Sequence, residues 1–289
     1  MKKNLLAVLT ALTVAVGMIG CGGNNGFNAD EEISIITRED GSGTRGAFIE
    51  LFGIEKKNEE GKKIDHTTDA ASITNSTSVM MTTVESDLHA IGYISLGSLN
   101  DTVKAVKIDG VDASVANIKN GTYTIYRPFN VAVKEGISDV AQDFIDYILS
   151  AEGQAVIEAA GYITVSENGT FVSNGAAGKV TVAGSSSVSP VMLKLKEAYL
   201  AINTGAEIEI LTSDSSTGMS NAIEGICDIG MASRAVKDSE KEKGLTEITI
   251  ANDGVAVIVN KENPAESMTK EQVEQIYTGS VTSWSAIVE

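Results

Sequence analysis

Short apolar runs alternate with amphipathic segments along most of this chain. Residues 33–36 form a compact apolar run, which predicts a strand, and apolar residues then recur at helical spacing across residues 47–52. The same two patterns return in the second half, where residues 179–183 predict a strand and residues 191–202 carry a helical apolar stripe. Strands that alternate with helices in this way predict the α/β class.

Two longer extended stretches, residues 123–133 and 253–260, interrupt this alternation. Both are mainly apolar, and the first contains Pro128, so we expect them to cross between two lobes. The rest of the pattern predicts strands over residues 90–95, 103–108 and 208–211, and helices over residues 69–88 (capped at Ser76 or Ser78), 140–160 (broken at Gly153), 219–226 and from 269 onward.

Three loops rich in serine, threonine and glycine each follow a predicted strand and open a predicted helix. They span residues 37–45, 183–188 and 213–218. A helix N-terminus offers unpaired backbone N–H groups and a partial positive charge, and small hydroxyl residues add further donors. A single loop of this composition is most often a linker. The three together predict a cradle for a small tetrahedral oxyanion.

Composition and charge narrow the range of partners. The chain has 289 residues, enough for two modest domains, and a formal net charge of −17. Nucleic-acid binding is excluded because it requires a basic surface. The negative charge does not exclude an anionic ligand, since donors inside a cleft act at contact distance while exposed charges are screened.

The N-terminus has the pattern of a targeting segment. Lys2 and Lys3 precede an apolar run over residues 5–19, and residues 18–21 (Met-Ile-Gly-Cys) resemble a bacterial lipobox. We therefore expect a lipoprotein signal peptide over residues 1–20, a lipid anchor on Cys21 that holds the protein on the extracytoplasmic face of the membrane, and a flexible tether over residues 21–32. A plain secretory signal with a chance cysteine is the alternative.

The other cysteine and the two histidines offer no further chemistry. Cys227 is expected to be a small buried hydrophobe, and with Cys21 acylated no intrachain disulfide is available. His66 and His89 have no metal-ligand spacing, so neither a metal nor a cofactor is expected.

Several motifs resemble one family, the phosphate-binding proteins of Pst-type ABC transporters. The resemblance implies a two-lobed, type II periplasmic-binding-protein-like fold with a ligand cleft between the lobes, and it covers nearly all of residues 33–289. The most specific motif is Arg-Glu-Asp-Gly-Ser-Gly-Thr-Arg at residues 38–45, and it is supported by residues 90–93, 184–188, 215–218, 229–234 and 277–284.

The order of these motifs differs from the family's. The Gly-Ser-Ser motif normally comes first, and the 38–45 motif normally follows the 277–284 segment. The chain thus resembles a circular permutant in which residues 164–178 join the family's usual ends. This predicts a lobe split between residues 30–128 and 256–289 and a continuous lobe over residues 130–255. A partial gene duplication is the rival interpretation.

The resemblance also implies the ligand contacts. Arg38 is the expected cationic partner, and Asp40 is the carboxylate expected to orient it; Asp40 or a nearby group would accept a phosphate proton. Some members place an aspartate where this chain has Ser233 and Arg234, so Arg234 is expected either to bind the anion or to form a surface ion pair. The remaining expected contacts are Ser42, Gly43, Thr44, Ser186, Ser187, Ser215 and Ser233.

The function implied is that of a receptor without enzymatic activity. We expect a monomeric, lipid-anchored protein that captures inorganic phosphate and delivers it to the permease subunits of an ABC importer. A receptor for sulfate or molybdate, or a phosphate-sensing lipoprotein, would use the same fold. A phosphatase or serine hydrolase is disfavoured because the sequence has no Gly-x-Ser-x-Gly elbow, no Walker-type loop and no recognisable triad.

Overall fold

The computed structural model describes residues 26–288. Residues 1–20, expected to be a signal peptide, and Cys21 lie outside that range. Within it the strands are β1 (Ser34–Arg38), β2 (Glu55–Lys57), β3 (Lys63–Asp65), β4 (Ser72–Thr74), β5 (Ala90–Ser95), β6 (Val103–Ala105), β7 (Lys107–Ile108), β8 (Tyr126–Val133), β9 (Gly178–Ser185), β10 (Ala206–Ser213), β11 (Ile229–Ala232), β12 (Thr246–Asn260) and β13 (Ser267–Met268).

Helices fill most of the connections between these strands. They are α1 (Gly43–Leu51), α2 (Thr77–Ser86), α3 (Val115–Lys119), α4 (Asp139–Leu149), α5 (Ala151–Ala159), α6 (Ser189–Leu200), α7 (Ser215–Glu224), α8 (Asp238–Lys241) and α9 (Lys270–Tyr277). No helix of residues 26–288 is long and apolar enough to cross a membrane.

One mixed sheet runs through the molecule in the order β10-β9-β11-β8-β12-β5-β1-β4. The long strand β12 joins its two halves: residues 246–254 pair with β8, and residues 255–259 continue antiparallel to β5. The two extended stretches predicted as crossovers, 123–133 and 253–260, belong to this adjacent pair of strands.

The hydrophobic core divides on either side of these crossing strands. One cluster contains Phe48, Tyr93, Tyr277 and Trp284, and its buried members come from residues 33–125 and 255–284. The other large cluster, around Phe144 and residues 129–251, packs α4 and α6 against β9. Residues distant in sequence therefore complete one core, while a nearly continuous segment forms the other.

The beginning and end of the described chain lie side by side. Glu32 and Ser283 form an antiparallel bridge, and the Ile33 N–H donates to the Thr282 carbonyl at 2.8 Å. The expected tether is docked from Phe27 onward, because Phe27 stacks on His89 with ring centroids 5.1 Å apart. The Asn28 N–H also donates to His89 Nε2 at 3.1 Å.

Two of the predicted helices differ from expectation. The single helix expected over 69–88 is a strand, β4, followed by α2, because the Ser76 hydroxyl accepts from the Val79 N–H and starts the helix there. In the 140–160 segment the break lies at Ser150, which caps α5. Gly153 instead allows close packing, since a side chain there would collide with the backbone of Tyr147.

The segment 164–178, expected to be a linker, is fastened to α4 and α6. Asp143 accepts hydrogen bonds from Ser173 Oγ (2.7 Å) and the Asn174 N–H (2.8 Å), and Tyr199 donates to it from α6 at 2.9 Å. Burial raises the pKa of Asp143, but these hydrogen bonds outweigh that effect and the pKa is lowered overall. The charged carboxylate thus anchors the joining segment.

Candidate anion-binding site

Three helix N-termini form the framework of the site, as the three loops predict. Helix α1 begins behind Ser42, whose hydroxyl accepts from the Arg45 N–H, and α7 begins behind Asp214, which accepts from the Thr217 N–H at 2.9 Å. Helix α6 follows the loop after β9 and has Pro190 in its first turn. The loops meet: the Ser216 N–H donates to the Gly41 carbonyl at 3.1 Å.

A buried cluster of hydroxyl groups lies where these loops meet. Thr44 Oγ1 is 2.8 Å from Ser187 Oγ and 3.3 Å from Ser233 Oγ. Thr77, at the start of α2, adds a hydroxyl 3.1 Å from Ser187 Oγ. Ser215 Oγ accepts from the Ser233 N–H at 3.1 Å. Thr44, Ser187, Ser215 and Ser233 are each only 1% exposed, so the cluster is screened from bulk water.

Gly43 lies in the same cluster and leaves no space for a side chain. A Cβ at this position would lie 2.5 Å from Ser215 Oγ and 2.8 Å from Ser233 Oγ. The glycine therefore lets the backbone of α1 approach the opposite loops closely.

Arg38 brings a buried cation to the edge of the cluster. Its side chain is 3% exposed, and Nη2 donates to Ser186 Oγ at 3.1 Å. Glu39 holds the guanidinium through two hydrogen bonds, from Nε at 2.8 Å and from Nη2 at 2.7 Å. Such bidentate pairing fixes the plane of the guanidinium.

The expected role of Asp40 is corrected by this geometry. Its side chain is 95% exposed and pairs with Arg45 Nη1 at 2.8 Å, whereas Glu39 occupies the position on Arg38. Consecutive residues in this loop point in different directions, so the carboxylate one position earlier faces inward. The family motif indicates an acidic residue beside the arginine but does not tell whether Glu39 or Asp40 contacts it.

Arg234 forms an ion pair, the second of the two expectations for it. Nη2 and Nη1 contact Glu240 Oε1 and Oε2 at 2.8 and 2.9 Å, and Nη2 also donates to Ser216 Oγ at 3.3 Å. Burial raises the pKa of Glu240, but the hydrogen bonds from Arg234 and from the Lys237 backbone outweigh it and the pKa is lowered. Arg234 thus tightens the loop beside the cluster.

Arg127 and Asp253 are site residues that the sequence analysis missed. Arg127 is 3% exposed and Asp253 is fully buried, and Nη1 lies 3.2 Å from Asp253 Oδ2. Burial raises the pKa of Asp253 to about 6, although the nearby charge of Arg127 acts to lower it. Burial also lowers the pKa of Arg127. The available signal was one charged residue in each of the two mainly apolar stretches, 123–133 and 253–260.

An open cavity of about 1020 Å³ lies beside the cluster. Its lining includes Ser42, Arg127 and Ser216, together with Arg45 and Arg234 at its rim. Acidic as well as basic side chains line this cavity, so its charged groups are of both signs.

The arrangement can bind an oxyanion. It concentrates hydroxyl and guanidinium donors in a buried space, and each buried arginine has a carboxylate partner that fixes it. A serine nucleophile would need a nearby base, yet His89 is occupied with Phe27 and the Asn28 backbone, away from the cluster. No group of three or more potential metal ligands is found among residues 26–288.

Comparison with known proteins identifies the class. A family model described as a PBP superfamily domain matches residues 23–152 and 170–288. The phosphate-binding protein PstS 2 of Streptococcus agalactiae serotype V is 53% identical over 289 residues, which is 99% of both chains. PstS 2 of Streptococcus pneumoniae serotype 4 is 41% identical over 99% of this chain and 100% of its own.

A solved structure agrees with these relatives. The crystal structure of a phosphate ABC transporter, phosphate-binding protein from Streptococcus pneumoniae is 43% identical, covers 89% of this chain and 99% of its own, and superposes with a TM-score of 0.69. The chain belongs to the PBP superfamily and, within it, to the family of these PstS proteins. The predicted family and its α/β, binding-protein-like fold are confirmed.

Proposed function

We propose that this protein captures inorganic phosphate in the cleft and delivers it to the permease subunits of an ABC importer. The observation that carries the proposal is the buried hydroxyl cluster joined to Arg38 through Ser186 at 3.1 Å. A tetrahedral anion with several acceptor oxygens matches such a convergent set of donors. The full-length relatives are phosphate-binding proteins, and the related protein of known structure is the phosphate-binding protein of a phosphate ABC transporter.

The residues proposed to bind phosphate are those that the family motifs and the geometry share. Arg38 supplies the charge, and the hydroxyl or backbone N–H groups around it supply the remaining donors. The proposed contacts are Arg38, Ser42, Gly43, Thr44, Ser186, Ser187, Ser215 and Ser233. Asp40 and Arg234 act at the rim, since their side chains pair with Arg45 and Glu240.

The protein is proposed to act without enzymatic chemistry and as a monomer. Bound phosphate would hold the 38–44 loop of one lobe against Ser186, Ser187 and Ser215 of the other, a closed arrangement that the structure already has, and opening of the lobes at the permease would release the ligand. This scheme needs one site and one chain.

We also propose that the chain is a circular permutant of the family's usual order, with a lobe split between residues 30–128 and 256–289, a continuous lobe over 130–255, and residues 164–178 as the join. The Glu32–Ser283 bridge supports this, because it joins segments that would be consecutive in the usual order. The two core clusters divide near the same positions. A partial duplication would not require residues from both ends to complete one core.

The proposed location is the extracytoplasmic face of the membrane, with a lipid anchor on Cys21. The lipobox-like residues 18–21 support it. The test is a Cys21→Ala variant in the native cell: the protein should move from the membrane fraction to the medium, and a variant that stays with the membrane would contradict the anchor.

Phosphate uptake tests the transport function itself. Cells that lack the gene should take up radiolabelled phosphate slowly at low external concentration, and the wild-type gene should restore the rate while an Arg38→Met gene should not. If deletion leaves phosphate uptake unchanged but slows sulfate or molybdate uptake, the ligand is a different oxyanion.

A further inference from the structure

Arg127 is held at the point where the two crossing strands pair. It lies on β8 directly opposite Asp253 on β12 in the antiparallel register. Besides the Asp253 contact, Nε donates to the Ser233 carbonyl at 2.9 Å. The guanidinium also lies 5.3 Å from the centre of the Phe129 ring. The backbone register, the carboxylate and the ring together leave this side chain little freedom.

The remaining arm of the guanidinium reaches into the hydroxyl cluster. Nη2 donates to Thr44 Oγ1 at 3.0 Å. A guanidinium can only donate, whereas a threonine hydroxyl has one proton and two lone pairs. Because Arg127 occupies one lone pair of Thr44, the Thr44 proton is directed away from Arg127, toward Ser187 at 2.8 Å or Ser233 at 3.3 Å in the interior of the cluster.

We propose that Arg127, fixed by Asp253, is a positioning residue for the anion site: it makes the Thr44 hydroxyl a committed donor toward the ligand and links the Thr44 and Ser233 loops across the cleft. This rests on the proposed function, in which Thr44 binds phosphate. A hydroxyl group that accepts a hydrogen bond from a cation is polarised, so its own O–H becomes a stronger hydrogen-bond donor. The pair thereby favours acceptor oxygens at this position.

A double-mutant cycle on Arg127 and Thr44 tests the proposal. Phosphate dissociation constants are measured by calorimetry for the wild-type chain, Arg127→Lys, Thr44→Val and the double variant. Lysine keeps the charge beside Asp253 but has a single ammonium, which cannot serve Asp253, Ser233 and Thr44 together. Each single variant should bind at least about tenfold more weakly, and the double variant should be no weaker than Thr44→Val within about threefold.

Two results would overturn the proposal, and a third would contradict phosphate binding, the proposed function on which it rests. If the losses of the single variants multiply in the double variant, Arg127 does not act through Thr44. If Arg127→Lys binds phosphate like the wild type, Arg127 does not position the site. If the folded wild-type chain binds no phosphate, the proposed function fails first.

Folding is separated from positioning by thermal unfolding of the ligand-free variants. A purely structural role would lower the unfolding midpoint by the same amount in both Thr44 backgrounds and would weaken binding in both. Should Arg127→Lys fail to fold, the cycle is repeated with Arg127→Gln combined with Asp253→Asn. This pair of substitutions removes both buried charges together and leaves neither unpaired. We again expect it to weaken phosphate binding in the wild-type background but not in the Thr44→Val background. If its effect on affinity is the same in both backgrounds, the proposal is rejected.

Discussion

Arg38 and Ser186 are joined by a hydrogen bond of 3.1 Å although 148 positions separate them in the chain. The bond links the loop at the start of α1 to the loop at the start of α6, so it exists only when the two loops face each other. We therefore expect replacement of Arg38 to weaken phosphate binding more than replacement of any other side chain.

Replacement of Arg38 by methionine should weaken phosphate binding by ten- to a hundredfold or more. A hydrogen bond to a charged group contributes about 1.5–3 kcal/mol, and the Arg38 side chain is only 3% exposed. The measurement is the phosphate dissociation constant from calorimetry. Lys119→Met, which removes a surface cation paired with Glu158, is the matched control and should bind as the wild type does. Equal affinities for all three proteins would remove Arg38 from the site.

Glu39 and Asp40 should differ sharply although they are neighbours. Glu39→Gln loosens the guanidinium of Arg38 and should weaken phosphate binding several-fold. Asp40→Asn should change neither the affinity nor the preference for phosphate over sulfate, because that side chain is 95% exposed. Titrations of both variants with phosphate and with sulfate measure these effects. If Asp40→Asn loses its preference for phosphate over sulfate, Asp40 contributes to anion selectivity after all.

Gly43→Ala should prevent the loops from closing on the ligand. The added methyl group would lie within 2.8 Å of two hydroxyl oxygens of the opposite loops, so phosphate affinity should fall by at least about tenfold while the separate lobes stay folded. Gly46→Ala on the same helix is the control, because nothing lies within 4 Å of its added Cβ; it should bind normally and stabilise the helix by up to about 1 kcal/mol. Normal binding by Gly43→Ala would mean that these loops do not meet around the anion.

Asp143 should make stability depend on pH in the acid range. Its folded-state pKa is lowered from 3.8, so its contribution is present above pH 3.8 and is lost as the pH falls toward the lowered value. At pH 7, Asp143→Asn should lower the free energy of unfolding by about 1.5–3 kcal/mol, and the difference from the wild type should shrink in acid. Chemical denaturation at several pH values measures this.

The control for Asp143 is Asp146→Asn on the exposed face of the same helix. Asp146 accepts one hydrogen bond, from Gln142, and its loss should have little effect at any pH. A difference between the wild type and Asp143→Asn that persists unchanged into acid would show that the charge of Asp143 does not anchor the 164–178 segment.

The elements that the sequence predicts well are those with a local cause. Two of the three loops precede helices because Ser42 and Asp214 cap α1 and α7, and the third precedes α6, which has Pro190 in its first turn. The strong apolar period of residues 140–160 reflects burial of α4. The helix expected over 69–88 is partly wrong because Ile73 and Thr74 gain a ladder with β1. A tertiary pairing of this kind leaves no periodic signal.

Site residues that lie within sequence motifs could be predicted, whereas those whose position depends on tertiary packing could not. Thr44, Ser187 and Ser215 lie in the cluster as expected. The direction in which Glu39 and Asp40 point depends on the loop backbone, and the Arg127–Asp253 pair depends on the register of two strands about 126 positions apart in the chain. Neither follows from residue types along a single segment.

Calorimetric titration of residues 26–289 with phosphate, followed by sulfate under the same salt conditions, is the measurement to make first. We expect one-to-one phosphate binding that sulfate does not compete away. A folded sample that binds sulfate in preference to phosphate, or that binds neither anion, would contradict a phosphate site built from these loops.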